Sequence, residues 1–141
     1  MSLEERVYSV LVVSAAEKLN TALCDLLPGS HYQPVKIVTS VSAGKQEWSE
    51  RSYDFVIINS PLPDDAGIRL AIDIGTAENA VVLLLVRSEF YDEIHDRAVS
   101  HGVFILVKPL SRPALTLSLN WMATVRERLR KMEKKDLSVE E

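Results

Sequence analysis

Polar side chains directly follow several apolar runs of the sequence. Ser14, Asn59 and Lys108 each stand immediately after such a run. In an open parallel sheet, the carboxyl ends of the strands form the usual binding edge, so these three side chains would meet there. A hydroxyl, an amide and an ammonium group can bind a polar ligand. None of the three is a carboxylate, which is the ligand that a hard cation such as Mg²⁺ prefers.

Other kinds of active site are disfavoured by the residue types and their spacing. Three serines follow apolar runs, but none has the His and Asp partners that a catalytic triad would need. The loop after the first run contains no glycine with which to cradle a phosphate. The spacing of metal ligands is absent from the scattered histidines, His31, His95 and His101. We therefore expect no catalytic residue, no metal and no cofactor.

The composition indicates one globular domain. The chain has 141 residues, of which 47% are hydrophobic, and its single cysteine, Cys24, excludes an internal disulfide. No apolar stretch reaches the roughly 18 residues of a membrane span, and the first residues lack the basic and apolar parts of a secretory signal. These features predict a cytoplasmic protein with no membrane partner.

Strand-like and helix-like segments alternate along the chain. Strands are predicted from the apolar runs Val7–Val13, Val35–Val38, Phe55–Ile58, Val81–Val86 and Phe104–Val107. The last three runs are continuously apolar, which is typical of strands buried on both faces. Helical spacing appears in residues 15–27, 41–51, 67–75 and 91–101, with Ser14 as the predicted N-cap of the first helix. This order predicts a doubly wound α/β fold with a five-stranded parallel, flavodoxin-like sheet.

The last helix is longer than the sheet requires. It is predicted to begin near Pro113 and to continue without a breaker to about Lys135. A heptad-like seam is formed by Leu115, Ser118, Met122, Val125, Leu129 and Met132. Residues 126–135 carry six basic and two acidic side chains, although the whole chain has a net charge of −4. We expect a domain over residues 1–125, and over 126–141 a helical linker or the start of a dimeric coiled coil.

Two motifs at the predicted strand ends resemble the receiver domain of response regulators, the phosphoacceptor module of two-component signalling. The first is N-S-P-L-P-D-D-A-G, in which Asn59 is followed by Leu62-Pro63 and then by Gly67. The family has an acceptor Asp at the first of these positions. The second motif is Lys108-Pro109 at the end of the fifth predicted strand. The resemblance covers roughly residues 6–125 and implies the same five-stranded fold.

The chain departs from the receiver pattern where the family performs phosphoryl chemistry. The acceptor position holds Asn59, and the carboxylate pair of the family is replaced by Ser14 and Ala15. The switch hydroxyl is replaced by Val86, or by Arg87 if the loop before the fifth strand is one residue shorter, so that Lys108 alone remains. An amide is a poor nucleophile and cannot form an acyl phosphate. We therefore expect a pseudo-receiver with a degenerate phosphoacceptor pocket.

Two further expectations concern this pocket. Without a phosphoryl partner, Lys108 would bond to the side chain of Asn59 or to Ser14. Asp64 and Asp65 lie beyond the pocket, beside proline and glycine, where carboxylates usually shape turns. We do not expect either carboxylate to replace the missing acceptor.

The resemblance also implies partners. Receivers commonly dimerise through the fourth helix, the fifth strand and the fifth helix. The corresponding residues here are Ile94, Phe104, Leu106, Leu115, Met122, Val125, Leu129 and Met132. We expect a homodimer and a histidine kinase or another signalling protein as a further partner.

A receiver followed by a heptad-bearing helix is also similar to the ANTAR class of antitermination regulators. This similarity implies contact with nucleic acid only through a missing output domain, for which a DNA-binding domain is the rival. Two alternatives remain open for the function. One is a stand-alone partner-binding protein, and the other is a small-molecule binder that uses the degenerate pocket.

Overall fold

The computed structural model describes residues 6–77 and 79–140, and side chains as far as Glu133. Five strands form one parallel sheet: β1 (Tyr8–Val13), β2 (Tyr32–Val38), β3 (Phe55–Asn59), β4 (Val81–Arg87) and β5 (Val103–Lys108). Five helices connect or follow the strands: α1 (Glu17–Leu26), α2 (Val41–Glu50), α3 (Ile68–Thr76), α4 (Tyr91–Ser100) and α5 (Arg112–Glu140). The strand order β2-β1-β3-β4-β5 is the flavodoxin-like order, which confirms the predicted fold class.

Alternate residues of the central strands face two separate cores. Val56 and Ile58 of β3 pack on the side of α2, α3 and α4, whereas Phe55 and Ile57 pack on the side of α1 and α5. Every residue of β3 is buried, because helices cover both faces of the sheet. The continuous apolar runs predicted for β3 and β4 are therefore confirmed as strands buried on both faces.

The fifth strand differs from this prediction because β5 lies at the edge of the sheet. Its first residue, Val103, is buried, but Phe104 is 37% exposed and the rest of the strand is half-buried. An edge strand has no neighbour on one side, so the adjacent helices cover it less completely. A continuous apolar run therefore did not distinguish an edge strand from a central one.

Helix α1 begins two residues later than the predicted N-cap implied. Its N-cap is Ala16 and has no side-chain cap, so the prediction of Ser14 as N-cap is wrong. The backbone N–H of Ser14 donates to the carbonyl of Val38 in β2, which continues the extended pairing of β1 past its last residue. Ser14 is therefore held at the carboxyl end of β1 and not at the start of the helix.

Helix α2 approaches the sheet closely at a glycine. A Cβ atom at Gly44 would lie 3.1 Å from side-chain carbons of both Val13 and Leu70. A glycine inside a helix lowers its stability, but at this position almost no space is left for a larger side chain. The close packing of α2 on the sheet therefore explains the glycine. Its N-terminus is capped by Ser40, whose hydroxyl accepts from the backbone N–H of Ala43 at 3.1 Å.

Helix α5 packs on the α1 side of the sheet through Leu115, Leu119 and Met122, which are buried. Leu129 also packs against this core. The helix therefore still contacts the body beyond the predicted boundary at residue 125, because its next turn also carries an apolar residue on the sheet side. Part of the predicted linker, residues 134–141, lies outside the residues whose side chains are described. In the described residues, no helix is long and apolar enough to cross a membrane.

Candidate functional site

The carboxyl edge of the sheet brings Asn59 and Ser14 together. The amide Nδ2 of Asn59 donates to Ser14 Oγ at 3.3 Å, and both side chains are buried. The same hydroxyl oxygen accepts from the backbone N–H of Ala16 at 3.3 Å. The Oδ1 atom of Asn59 is buried and has no hydrogen-bond partner among the described protein groups. This network is uncharged where a phosphoaccepting site would hold carboxylates.

Lys108 lies at the same edge but has a different partner from those predicted. Its Nζ donates to the backbone carbonyl of Ser60 at 2.7 Å, so the expectation of a bond to Asn59 or Ser14 is wrong. Burial lowers the pKa of Lys108, and the positive charge of Arg87 lowers it further. Lys108 therefore fixes the loop after β3 through the backbone carbonyl of Ser60, the residue that follows Asn59.

The other two predicted pocket positions contribute no polar side chain. Val86 near the end of β4 is buried within the core, and Ala15 is exposed in the loop after β1. Neither residue can bind a phosphoryl group or a cation through its side chain. The carboxyl edge thus contains Ser14, Asn59 and Lys108 as its polar side chains from the predicted set.

The two carboxylates of the loop after β3 have structural partners. Asp64 accepts from the backbone N–H groups of Val41 and Ser42 at 2.9 and 3.0 Å, so it caps the start of α2. These bonds lower the pKa of Asp64 below its ordinary value of 3.8. Asp65 accepts from the backbone N–H of Gly67 at 3.0 Å, and Gly67 has a positive φ of 88°. Asp65 therefore shapes the local turn, as its neighbours predict, whereas Asp64 links this loop to the start of α2.

The described part of the chain contains no cluster of three or more His, Cys, Asp or Glu side chains that could hold a metal ion. The carboxyl edge offers hydroxyl and amide oxygens and the positively charged Lys108, a donor set that does not fit Mg²⁺. We therefore derive no chemistry that passes through a metal at this edge.

A concave surface lies between β5 and α5, away from the carboxyl edge. This β5–α5 groove has a volume of about 560 Å³. Its apolar wall includes Phe104, Val125, Leu129 and Met132, and its polar rim includes His101 and Glu133. The groove lies toward the amino-terminal ends of the strands, because Phe104 and Val81 both lie near the starts of their strands.

The eight predicted interface residues divide into two groups. Ile94, Leu115 and Met122 are buried inside their own chain, so the prediction that they form an intermolecular surface is wrong for these three. They lie on the inner faces of α4 and α5 and pack against the sheet. Half-buried Leu106 also packs against the inner core. The β5–α5 groove collects the remaining four, Phe104, Val125, Leu129 and Met132.

An exposed tryptophan adjoins this groove. Trp121 is 57% exposed and precedes Val125 by four residues, so both side chains lie on one face of α5. Met132, seven residues beyond Val125, continues the same stripe and is 61% exposed. The first half of the heptad-like seam packs inward, as expected for a helix docked up to about Val125, and Trp121 completes the outer stripe.

A cluster of charged groups connects α5 with the amino-terminal end of β3. Arg126 Nε and Arg130 Nη2 both donate to Asp54 Oδ1, each at 2.9 Å. The other oxygen, Oδ2, accepts from the backbone N–H of Ser9 at 3.0 Å. We call Asp54, Ser9, Arg126 and Arg130 the Asp54 cluster.

A second carboxylate continues the Asp54 cluster toward β1. Glu127 accepts from the hydroxyl of Tyr8 at 2.9 Å and pairs with Arg6 at 3.2 Å and Arg130 at 3.4 Å. Burial raises the pKa of Tyr8, and the hydrogen bond to Glu127 raises it further. Sequence reasoning missed Asp54 and Glu127, because the i, i+4 spacing of Arg126 and Arg130 places both guanidinium groups on one helix face but does not identify their partner.

The strand order and the motifs at the carboxyl edge define a receiver-type α/β fold. No protein-family model matches the sequence, and no curated protein sequence matches it. The structural neighbours are receiver domains of response regulators. A signal receiver domain of an HD domain-containing protein from Pseudomonas fluorescens Pf-5 has a TM-score of 0.75 and 21% identity, over 95% of this chain and 96% of that chain.

Two other neighbours are an adenylate cyclase and a redox sensor. The crystal structure of an adenylate cyclase from Rhodopirellula baltica matches with a TM-score of 0.79 and 15% identity, over 91% of this chain and 96% of that chain. A structure described as a novel family of redox sensors in the streptococci, evolved from two-component response regulators, matches with a TM-score of 0.75 and 18% identity. That match covers 88% of this chain and 54% of the other.

Proposed function

We propose that this chain is a receiver-like signalling module that acts without an aspartyl phosphate, through self-association at the β5–α5 groove. The observation that carries the proposal is the hydrogen bond between Asn59 and Ser14. It places a neutral, buried pair where phosphoryl transfer needs an ionised carboxylate. The proposal assigns no catalytic activity to the chain.

The lack of carboxylates among the buried side chains Ser14 and Asn59 at the carboxyl edge supports this proposal. An aspartyl phosphate needs a carboxylate oxygen that attacks phosphorus and a cation that neutralises the developing charge. Asn59 and Ser14 supply neither a nucleophile nor a cation ligand of the required charge, and Lys108 is bonded to the backbone of Ser60. The chain keeps the receiver-type fold but lacks the carboxylates that phosphoryl transfer needs. This combination favours a domain that acts by binding another protein chain.

The β5–α5 groove supports the second half of the proposal, and its proposed occupant is a second copy of this chain. A protruding aromatic side chain, Trp121, lies beside an apolar concavity on the same face of the molecule. In a two-fold dimer each surface meets its own copy, so a projection and a cavity on one face can complement each other. Tryptophan is also the residue most enriched at the energetic centres of interfaces.

Charge at the rim of the groove favours the same arrangement. Exposed Arg128 lies two helical turns beyond Trp121 on the outer side of α5, whereas Glu133 lines the groove and pairs with Arg126 of its own chain at 3.7 Å. In a two-fold dimer that seats Trp121 in the partner's groove, the basic side chain of one copy approaches the acidic side chain of the other. Such complementary charges favour correct docking of two copies.

Two neighbours bear on the proposal. The streptococcal redox sensors are described as having evolved from response regulators, so a receiver ancestry is compatible with an input other than phosphorylation. The adenylate cyclase neighbour is consistent with a receiver-type domain inside a larger signalling protein. By the same reasoning, we propose that α5 transmits the signal to a partner protein or to an output domain that contacts nucleic acid.

Sedimentation velocity over a range of protein concentrations tests this function. The wild-type protein is expected to form a concentration-dependent dimer, with the same dissociation constant before and after treatment with acetyl phosphate and Mg²⁺. A receiver with an acceptor Asp, treated in parallel, serves as the control for the donor. A protein that stays monomeric at every concentration, or that dimerises only after treatment, would contradict the proposal.

A further inference from the structure

We infer that the Asp54 cluster is an electrostatic clamp that holds the distal segment of α5, residues 124–133, against the sheet and thereby sets the width of the β5–α5 groove. The clamp is a property of the single chain. Its consequence for dimerisation rests on the proposed function, because only then does the groove receive a second copy.

The clamp is built on one half-buried carboxylate. The side chains of Asp54 and Arg126 are only 14% and 12% exposed, so their charges are largely removed from water. Arg130 donates to the same Oδ1 atom from one helical turn further along α5. One carboxylate outside the helix therefore anchors two successive turns of α5, and both turns lose Asp54 if the helix moves away, keeping only their pairs with Glu127 and Glu133 of the same helix.

The apolar contacts of the distal segment are weak by comparison. The buried apolar contacts of α5 end at Met122, and Val125 and Leu129 beyond it are only half-buried. The same two residues line the β5–α5 groove, so part of their surface faces an open concavity. The position of this segment therefore depends mainly on its polar contacts.

The clamp and the groove involve adjacent faces of the same helical turns, because consecutive residues of an α-helix lie about 100° apart. Arg126 also pairs at 3.7 Å with Glu133, which lines the groove. Arg126 and Arg130 point toward Asp54, while their chain neighbours Val125 and Leu129 face Phe104 across the groove. A displacement of the distal segment that breaks the ion pairs must also move this apolar wall. The groove width and the state of the clamp are thus mechanically coupled through one rigid helix.

Hydrogen–deuterium exchange on Asp54→Asn tests the clamp directly. The asparagine amide oxygen can still accept from the backbone N–H of Ser9, but it carries no charge for the two arginines. We expect the amides of residues 124–133 to exchange about tenfold faster or more, while those of β3, β4 and residues 115–122 keep their protection. Asp73→Asn is the matched control, because it removes a single exposed ion pair with Arg69.

Unchanged exchange over residues 124–133 in Asp54→Asn would overturn the inference. If that variant exchanges throughout the chain because the domain unfolds, Arg130→Gln is used instead. It leaves Asp54 paired with Arg126 and is expected to accelerate exchange near residue 130 alone. Exchange equal to wild type in that variant would equally overturn the inference. A failure of the proposed function appears separately, as a wild-type protein that does not dimerise in sedimentation.

Discussion

Arg126 on α5 donates its Nε–H to Asp54 at the amino-terminal end of β3 at 2.9 Å. The pair joins residues that are 72 positions apart in the chain, and both side chains are largely shielded from water. It shows that α5 remains attached to the domain past the last buried apolar residue, Met122. The far half of the helix is therefore part of the domain surface and forms one wall of the β5–α5 groove.

Loss of the Asp54 charge should lower the free energy of unfolding. We expect Asp54→Asn to destabilise the protein by about 2 kcal/mol or more, because two guanidinium groups lose a largely buried partner. Urea unfolding followed by circular dichroism measures the change. Asp73→Asn, in an exposed pair, should cost about 0.5 kcal/mol or less. Equal losses in the two variants would show that burial of Asp54 has no energetic consequence.

Asp64 should make the stability depend on acid pH. Its folded-state pKa is lowered by the N–H groups of Val41 and Ser42, so the folded protein favours the ionised form. The contribution is fully present above the ordinary pKa of 3.8 and is lost as the pH falls through the lower folded-state value. Melting temperatures measured from pH 6 down to pH 2.5 should fall more steeply for wild type than for Asp64→Asn. Parallel curves would contradict this role.

Trp121 should contribute to self-association more than an equally exposed apolar residue outside its stripe. We expect Trp121→Ala to weaken the dimer by about tenfold or more, because tryptophan anchors often contribute 2 kcal/mol to an interface. Val99→Ala is the control, since Val99 is 54% exposed but lies on α4 and is absent from the groove. Sedimentation velocity compares the two dissociation constants. A larger loss in the control would place the interface elsewhere.

Met132→Gln should also weaken the dimer, and it is a cleaner test than the corresponding change at Leu129. Met132 is 61% exposed, whereas Leu129 packs partly against its own core. Leu129→Gln is therefore expected to reduce both dimerisation and stability, and Met132→Gln only dimerisation. Melting temperatures recorded beside the sedimentation data separate the two effects. Unchanged dimerisation in Met132→Gln would remove this residue from the proposed interface.

Lys108 should act on stability. We expect Lys108→Ala to cost about 1–2 kcal/mol, because the backbone carbonyl of Ser60 loses a charged donor, while the dissociation constant of the dimer stays unchanged. Lys36→Ala, at an exposed position of β2, is the control and should be nearly neutral. A weaker dimer with an unchanged free energy of unfolding would instead assign Lys108 a part in signalling.

The central fold was predictable because local patterns and global topology agree. The continuous apolar run Phe55–Ile58 predicts a strand buried on both faces, and β3 is such a strand. The run Phe104–Val107 looks the same but belongs to the edge strand β5. Periodicity reports apolar character and not the number of neighbouring strands, so it could not separate these two cases.

Only those features of the site that follow from the residue types at the strand ends could be predicted from the sequence. The neutral carboxyl edge follows from the residue types of Ser14 and Asn59, which the strand ends bring together. The partner of Lys108 was not predictable, because a backbone carbonyl leaves no signature in the sequence. The same limit applies to Asp54, whose contacts with Arg126 depend on how α5 crosses the sheet.

The central claim is that this receiver-type domain cannot form an aspartyl phosphate at its carboxyl edge. Intact-mass measurement after incubation with acetyl phosphate and Mg²⁺ tests it most directly, with an active receiver treated in parallel. We predict that the mass of the wild-type protein stays unchanged while the active receiver gains one phosphoryl group. A hydroxylamine-labile adduct of one phosphoryl group that maps to the loops at the carboxyl edge would contradict the account.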